Sequence, residues 1–198
     1  MKKLILATGN RNKVSEIRAL LQDLPVEILT IEDYPSLVMP EEDQPTFAGN
    51  AAKKAQAVAR HTGEISLADD SGLEVTALDG RPGVRSARYA GEDSNYTANN
   101  RLLLEELKNV PLKKRRACFK CVVAVAVPDD QTYITEESCP GRIAGSPQGE
   151  GGFGYDPLFI YEPAGVTFAE MTAEEKNKVS HRGRALHRTR ELLERLLE

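Results

Sequence analysis

A chain of 198 residues, 40% hydrophobic and 28% charged, is long enough for a substantial core, either as one large domain or as one domain with a lobed cleft. Its net charge of −4 argues against general nucleic-acid binding, while leaving room for a local basic cleft. The apolar run after Lys2 and Lys3 is only Leu4-Ile5-Leu6-Ala7, too short for a signal peptide or a membrane span, so a soluble, cytoplasmic protein is expected.

Lys2–Ala7 reads as a first strand, after which Val14, Ile17, Leu20 and Leu21 recur at helical spacing. Between them lie Thr8, Gly9, Asn10, Arg11, Asn12 and Lys13. A strand, a glycine turn and a helix N-terminus present backbone N–H groups and the positive dipole end, and Lys13 adds a cation. Neither a P-loop nor a Rossmann fingerprint is present, and alone the stretch also suits a plain strand-to-helix turn. Val26–Ile31 is a second strand, followed by a proline-bounded acidic loop, Pro40-Glu41-Glu42-Asp43-Gln44-Pro45. Such a run is usually solvated surface; its alternative is a carboxylate brought to a metal. Thr46 then caps a helix over Phe47–Arg60, with Lys53 and Lys54 in its middle, one directed to a cleft and the other to solvent.

The central stretch is Ser66-Leu67-Ala68-Asp69-Asp70-Ser71-Gly72-Leu73-Glu74-Val75. Two carboxylates inside an apolar run need a compensating cation or solvent. A turn at Asp-Ser-Gly is the simpler reading of these residues alone. Downstream, Asp79-Gly80-Arg81-Pro82-Gly83 is a turn-rich loop, and a helix is expected from about Ser94 to Lys108. Arg115–Val127 reads as a long strand, with Thr132–Glu136 as its hairpin partner. Cys118 and Cys121 match C-x-x-C, but residues three apart on a strand face opposite ways, so inert buried thiols are expected. Four glycines in Gly149–Gly154 permit close approach of backbone to a ligand, Phe153 can stack on a planar base, and Asp156 offers an acceptor. Leu158–Ile160 is a further strand, Met171–Lys178 a short helix delivering Lys176 and Lys178, and the last helix shows a core face of Leu186, Leu193 and Leu197. His181 and Arg182 stand at its start, next to lysines and glycine. The expected architecture is α/β, with helices dispersed among the strands of a mixed sheet.

Inner carboxylates, an acidic loop, junction cations and a glycine-rich loop with an aromatic suit a nucleoside polyphosphate with Mg²⁺. That ion favours oxygen ligands and commonly uses one or two carboxylates, with phosphate oxygens and water completing its shell. No Ser-His-Asp order or cysteine–histidine nucleophile is evident, which favours attack by activated water.

Six segments carry a resemblance in register: Ala7-Thr8-Gly9-Asn10-x-x-Lys13, Thr46-Phe47-x-x-Asn50-Ala51-x-x-Lys54-Ala55, Ala68-Asp69-Asp70-Ser71-Gly72-Leu73, Pro82-Gly83-Val84-x-Ser86-Ala87-Arg88-Tyr89, Gly151-Gly152-Phe153-Gly154-Tyr155-Asp156-Pro157 and Ser180-His181-Arg182-Gly183. Spread over almost the whole chain, they resemble the inosine triphosphate pyrophosphatase family. The resemblance implies one domain over residues 1–198, built on a long mixed sheet flanked by helices, with two lobes around a nucleotide cleft. It implies a homodimeric, Mg²⁺-dependent enzyme that cleaves ITP, dITP and XTP to the monophosphate and pyrophosphate. Under it, Thr8–Lys13 hold phosphates, Glu42 and Asp70 bind Mg²⁺, Asp70 accepts a proton, and Lys54 and Ser71 contact substrate. Phe153, Gly154, Tyr155, Asp156, Lys176, His181 and Arg182 then form the base pocket.

Two places depart from the family pattern: Gly49 stands where Glu is usual, and Glu41-Glu42-Asp43-Gln44 replaces Glu-Glu-Thr-Gly. A nucleotide sensor that hydrolyses poorly is the competing reading that Gly49 favours. A septum-inhibitor-like pyrophosphatase is a second, against which the Phe-Gly-Tyr-Asp loop and Ser-His-Arg argue.

Overall fold

The computed structural model describes residues 2–91 and 95–197. Strand β1 (Lys3–Leu6) is apolar and fully covered at Leu4, Ile5 and Leu6, as a parallel strand buried on both faces must be. It pairs in parallel with β2 (Glu27–Thr30) and with β3 (Ile65–Val75), placing Leu4 beside Ile28 and Ile65. The crossovers are helices α1 (Arg11–Leu21) and α2 (Phe47–Thr62). Asn10 caps the first and Thr46 the second, and Gly63 closes α2 in the left-handed conformation.

Strands β4 (Arg116–Ala126), β5 (Thr132–Ile143), β6 (Phe159–Tyr161) and β7 (Val166–Thr167) complete a seven-stranded mixed sheet in the order β2-β1-β3-β4-β5-β6-β7. The remaining helices are α3 (Tyr96–Glu106), α4 (Ala173–Val179) and α5 (His181–Leu197). The α/β class and the mixed sheet expected from sequence are found. The expected helix start at Ser94 lies outside the described residues.

Three elements differ from expectation. Asp69, Asp70, Ser71 and Gly72 form no turn; they lie inside the continuous eleven-residue strand β3. Cations supplied by other elements allow this, and no local pattern announces them. Strand β5 runs on through Pro140 and Gly141 to Ile143, seven residues past its expected end at Glu136, with Cys139, Gly141 and Ile143 buried in alternation. The Pro-Gly pair reads locally as a break, but tertiary pairing with β6 (Arg142 beside Ile160) overrides it. The two-residue strand β7 carries no pattern long enough to read.

The chain forms two compact units: Met1–Asp70, Cys121–Glu137 and Arg182–Glu198 make the first, and Ser71–Lys120 with Ser138–His181 the second. Each buries its own core. The first packs Leu4, Leu6, Ile17, Leu67 and Val123 with Leu186, Leu193 and Leu197, the face expected for the last helix. The second packs Leu73, Leu103, Ile143, Phe159 and Phe168 with Phe119, whose ring centre lies 4.6 Å from that of Phe159.

Candidate active site

In the first unit, β1 ends at Leu6 and delivers Thr8 and Gly9 to the start of α1. Thr8 Oγ1 accepts the Asn10 N–H at 3.2 Å, and Asn10 Oδ1 accepts the N–H groups of Asn12 and Lys13 at 3.0 and 3.3 Å. Two of the leading helix donors are therefore already engaged by the cap. Arg11 is turned outward, 3.9 Å from Glu32, and Asn12 is exposed. Lys13 points inward, its Nζ 3.1 Å from Asp69 Oδ2.

Successive residues of a strand face opposite ways, so Asp69 and Asp70 meet different surroundings. Asp69 is fully buried, and its Oδ2 accepts from Arg182 Nε at 3.1 Å and Nη2 at 2.9 Å. Arg182 Nη1 donates in turn to Glu16 Oε2 at 2.6 Å. Burial opposes ionisation of Asp69, but Lys13, Arg182 and Lys54 outweigh it and hold the carboxyl well below the usual range. Asp70 is nearly buried; burial raises its pKa, opposed by Lys54 and Lys13.

Lys54 joins the acidic loop to the strand. Its Nζ donates to Glu42 Oε1 at 2.5 Å and to the Asp69 carbonyl at 3.0 Å, and stands 3.8 Å from Asp70 Oδ1. Burial opposes its charge, yet Asp70, Glu42 and Asp69 raise its pKa. Lys53 pairs instead with exposed Asp43 at 2.8 Å, so Lys54 is the inward member of the two. Glu42 is partly covered and Glu41 exposed. Among the described residues no group of three or more His, Cys, Asp or Glu is arranged to hold a metal ion. What gathers around one lysine is a pair of hard oxygen donors, Glu42 and Asp70, a set that suits Mg²⁺ if phosphate and water supply the rest.

In the second unit, Ser71 follows on β3 and is partly covered. Asp156 organises the glycine loop: its Oδ2 accepts the Phe153 N–H at 2.8 Å and Lys176 Nζ at 2.6 Å. Gly152 (φ +70°) is required here, because a Cβ would stand 2.1 Å from that same oxygen. Lys176 Nζ lies 4.7 Å from the centre of the Phe153 ring. His181 stacks on Phe119, ring centres 4.6 Å apart and planes within 10°.

Of the residues expected in the base pocket, Phe153, Asp156 and Lys176 are brought together. Gly154 turns the loop in the left-handed region (φ +64°). Tyr155 is buried and donates to the Ser86 carbonyl at 2.9 Å, a scaffold contact. Arg182 belongs to the first unit, where its guanidinium is engaged by Asp69 and Glu16. Lys178 is not delivered, since it pairs at the surface with Glu174 at 2.6 Å.

Sequence reasoning overlooked the support from α3. Asn100 Nδ2 donates to the Gly154 carbonyl at 2.9 Å, and the Tyr96 ring lies 6.1 Å from Phe153. The only sequence signal is that Tyr96 and Asn100 are four residues apart and share a helix face.

This geometry can be set beside known proteins. The Ham1 family model matches residues 4–192, nearly the whole chain. The chain belongs to the Ham1 family. Among proteins similar to it, the dITP/XTP pyrophosphatase of Desulforamulus reducens is 52% identical over 194 residues, 98% of this chain and 96% of that one. That of Geobacter sulfurreducens is 51% identical over 186 residues, 94% of each chain. A solved HAM1 protein from Coxiella burnetii superposes with a TM-score of 0.89 at 38% identity, over 98% of both chains. The family recognised from the six segments is thus borne out, and so is its fold.

Proposed function

We propose that this protein is a Mg²⁺-dependent nucleoside triphosphate pyrophosphatase acting on dITP, ITP and XTP. The observation that carries the reading is the convergence of Glu42 and Asp70 on Lys54, with Lys13 held by Asp69 on the other side of the same strand. The names of relatives about half identical to this chain support the substrate class.

Glu42 and Asp70 would hold the ion, which when bound supplies charge to the phosphate oxygens. Asp70 takes a proton from the attacking water, whose oxygen bonds the α-phosphorus as the α–β bridge breaks. The products are the monophosphate and pyrophosphate. Burial raises the pKa of Asp70 and with it its strength as a proton acceptor, while Lys54 and Lys13 oppose the rise. Lys13 and Lys54 offset the charge that develops on the leaving phosphates. Thr8 and the Gly9–Asn12 turn line the triphosphate, and Ser71 contacts it from the next position of β3.

The second unit reads the base. Phe153 offers a face for stacking, and Lys176 and His181 offer donors to the 6-carbonyl of hypoxanthine or xanthine. Adenine, with an amino group there, would leave those donors unpaired, and such mismatches discriminate strongly. Arg182 acts through Asp69 in this reading. The protein is further proposed to work as one functional domain, as a homodimer and in the cytoplasm, without nucleic-acid partners. No described helix is long and apolar enough to cross a membrane.

Pyrophosphate release from ITP, dITP, XTP, ATP and GTP, with and without Mg²⁺, tests the proposal. Strong Mg²⁺-dependent release from the first three and little from ATP or GTP is expected. ITP that binds without being cleaved would replace the enzyme by a sensor.

A further inference from the structure

The loop carrying Glu42 is fastened to α2 by contacts that the reaction does not itself require. The Gln44 N–H donates to Asn50 Oδ1 at 3.0 Å, and Asn50 Nδ2 donates back to the Gln44 carbonyl at 3.4 Å. Asn50 is buried and also hydrogen-bonds Asp70. One turn along the helix, Lys54 links Glu42 to Asp70. The acidic loop and the strand carboxylate are thus registered on the same face of α2, through two side chains four residues apart.

The Gln44 side chain completes the fastening by lying over Gly49. A Cβ on Gly49 would stand 2.8 Å from Gln44 Cβ, 3.2 Å from Gln44 Cγ and 3.2 Å from Thr46 Oγ1. Gly49 has ordinary helical geometry, so glycine is needed for space and not for conformation. Glycine is a poorer helix former than alanine, by about 1 kcal/mol at an interior position and less in a capped first turn such as that of Gly49. The helix gives up that stability and gains a seat for Gln44. Gln44 Nε2 then donates to Asp43 Oδ1 at 2.8 Å, the oxygen that also accepts Lys53.

We propose that Gln44 is a positioning residue of the metal site: seated on Gly49 and held by Asn50, it sets where Glu42 stands relative to Asp70. Gly49 is then the counterpart that accommodates Gln44, and not the mark of a lost activity. The inference rests on the assignment of Glu42 and Asp70 as metal ligands.

The test measures Mn²⁺ binding by electron paramagnetic resonance with α,β-methylene ITP, alongside the Mg²⁺ dependence of pyrophosphate release from ITP. Gly49→Ala keeps a helix former at this position but sets a Cβ against Gln44 and Thr46, so a merely structural role predicts a lowered melting midpoint with unchanged metal binding. The proposal predicts Mn²⁺ affinity weakened roughly tenfold or more, the usual effect of disturbing the support of a ligand. The Mg²⁺ concentration for half-activation rises with it, while turnover at saturating Mg²⁺ stays near the parent's. The double variant Gln44→Gly/Gly49→Ala removes the clash with Gln44 but also the seated side chain, so its affinity falls to about the level of Gln44→Ala and no further. Gln44→Ala, which introduces no clash and needs no refolding around one, loses affinity several-fold. Parent-like affinity in Gly49→Ala or Gln44→Ala, or losses that simply add in the double variant, would overturn the proposal. A parent protein that binds no Mn²⁺ and releases no pyrophosphate would instead overturn the metal assignment beneath it.

Discussion

Asp69 and Asp70 are adjacent on one strand, yet one is held strongly ionised by Lys13 and Arg182 and the other is pushed toward its neutral form by burial. Divergent environments of this kind separate a structural carboxylate from a reactive one. Asp70→Asn should therefore lower turnover of ITP by about 10²–10⁴-fold, the range for losing a general base. Steady-state kinetics at saturating Mg²⁺, with circular dichroism to verify folding, provide the check; near-normal turnover removes Asp70 as the base. The cysteines behave oppositely. Burial pushes Cys121 up to about 12 and raises the partly covered Cys118 as well. A raised thiol pKa lowers the thiolate fraction, to on the order of 10⁻⁴ at pH 8 for Cys121. Titration of the native protein with a disulfide reagent at pH 8 should find Cys121 and buried Cys139 unreactive until denaturant is added. Of the two C-x-x-C cysteines expected to be buried, Cys121 is, whereas Cys118 is partly accessible.

Helix α4 shows how an element of seven residues can hold a functional side chain. Thr172 Oγ1 accepts the Glu175 N–H at 3.2 Å, and Glu175 Oε2 accepts the Thr172 N–H at 2.8 Å. This reciprocal cap starts the helix that buries Lys176 against Asp156. Thr172→Ala should cost about 1 kcal/mol and lower the melting midpoint by roughly 2–4 °C. If α4 positions Lys176 for the base, the KM for ITP rises more than kcat falls. An unchanged KM would assign the cap to stability alone. The same logic explains α2, whose inward residues Asn50 and Lys54 serve Asp70 while Lys53 and Gln56 face outward.

At the scale of the whole molecule, each unit has its own core, but β3, β4 and β5 each pass from one unit to the other. A strand melted in one unit loses the pairing that continues into the next. A single cooperative unfolding transition is therefore expected in calorimetry. Val123→Ala in the first core and Phe159→Ala in the second should lower the same midpoint, the latter through a loss of about 3–5 kcal/mol of stability. Two resolved transitions, with each variant moving only one, would show that the cores fold independently.

The α/β class, the cap at Thr46 and the family were legible in the chain itself, because they rest on local signals. Apolar runs mark buried strands, Thr46 marks the start of α2, and six motifs keep their order. What stayed hidden depends on partners far away in sequence. Local pattern cannot show that Arg182 crosses 113 positions to Asp69, or that this pairing lets Asp69 and Asp70 lie within a continuous strand. Nor can it show which of Lys53 and Lys54 turns inward, since both are helical lysines until the strand and the acidic loop are packed against one of them. The departures at Gln44 and Gly49 read as separate losses along the chain; folded, they are in contact, and the space one leaves is the space the other fills. Propensity is local and charge compensation is not, so sequence determined the elements and tertiary structure decided the chemistry of their side chains.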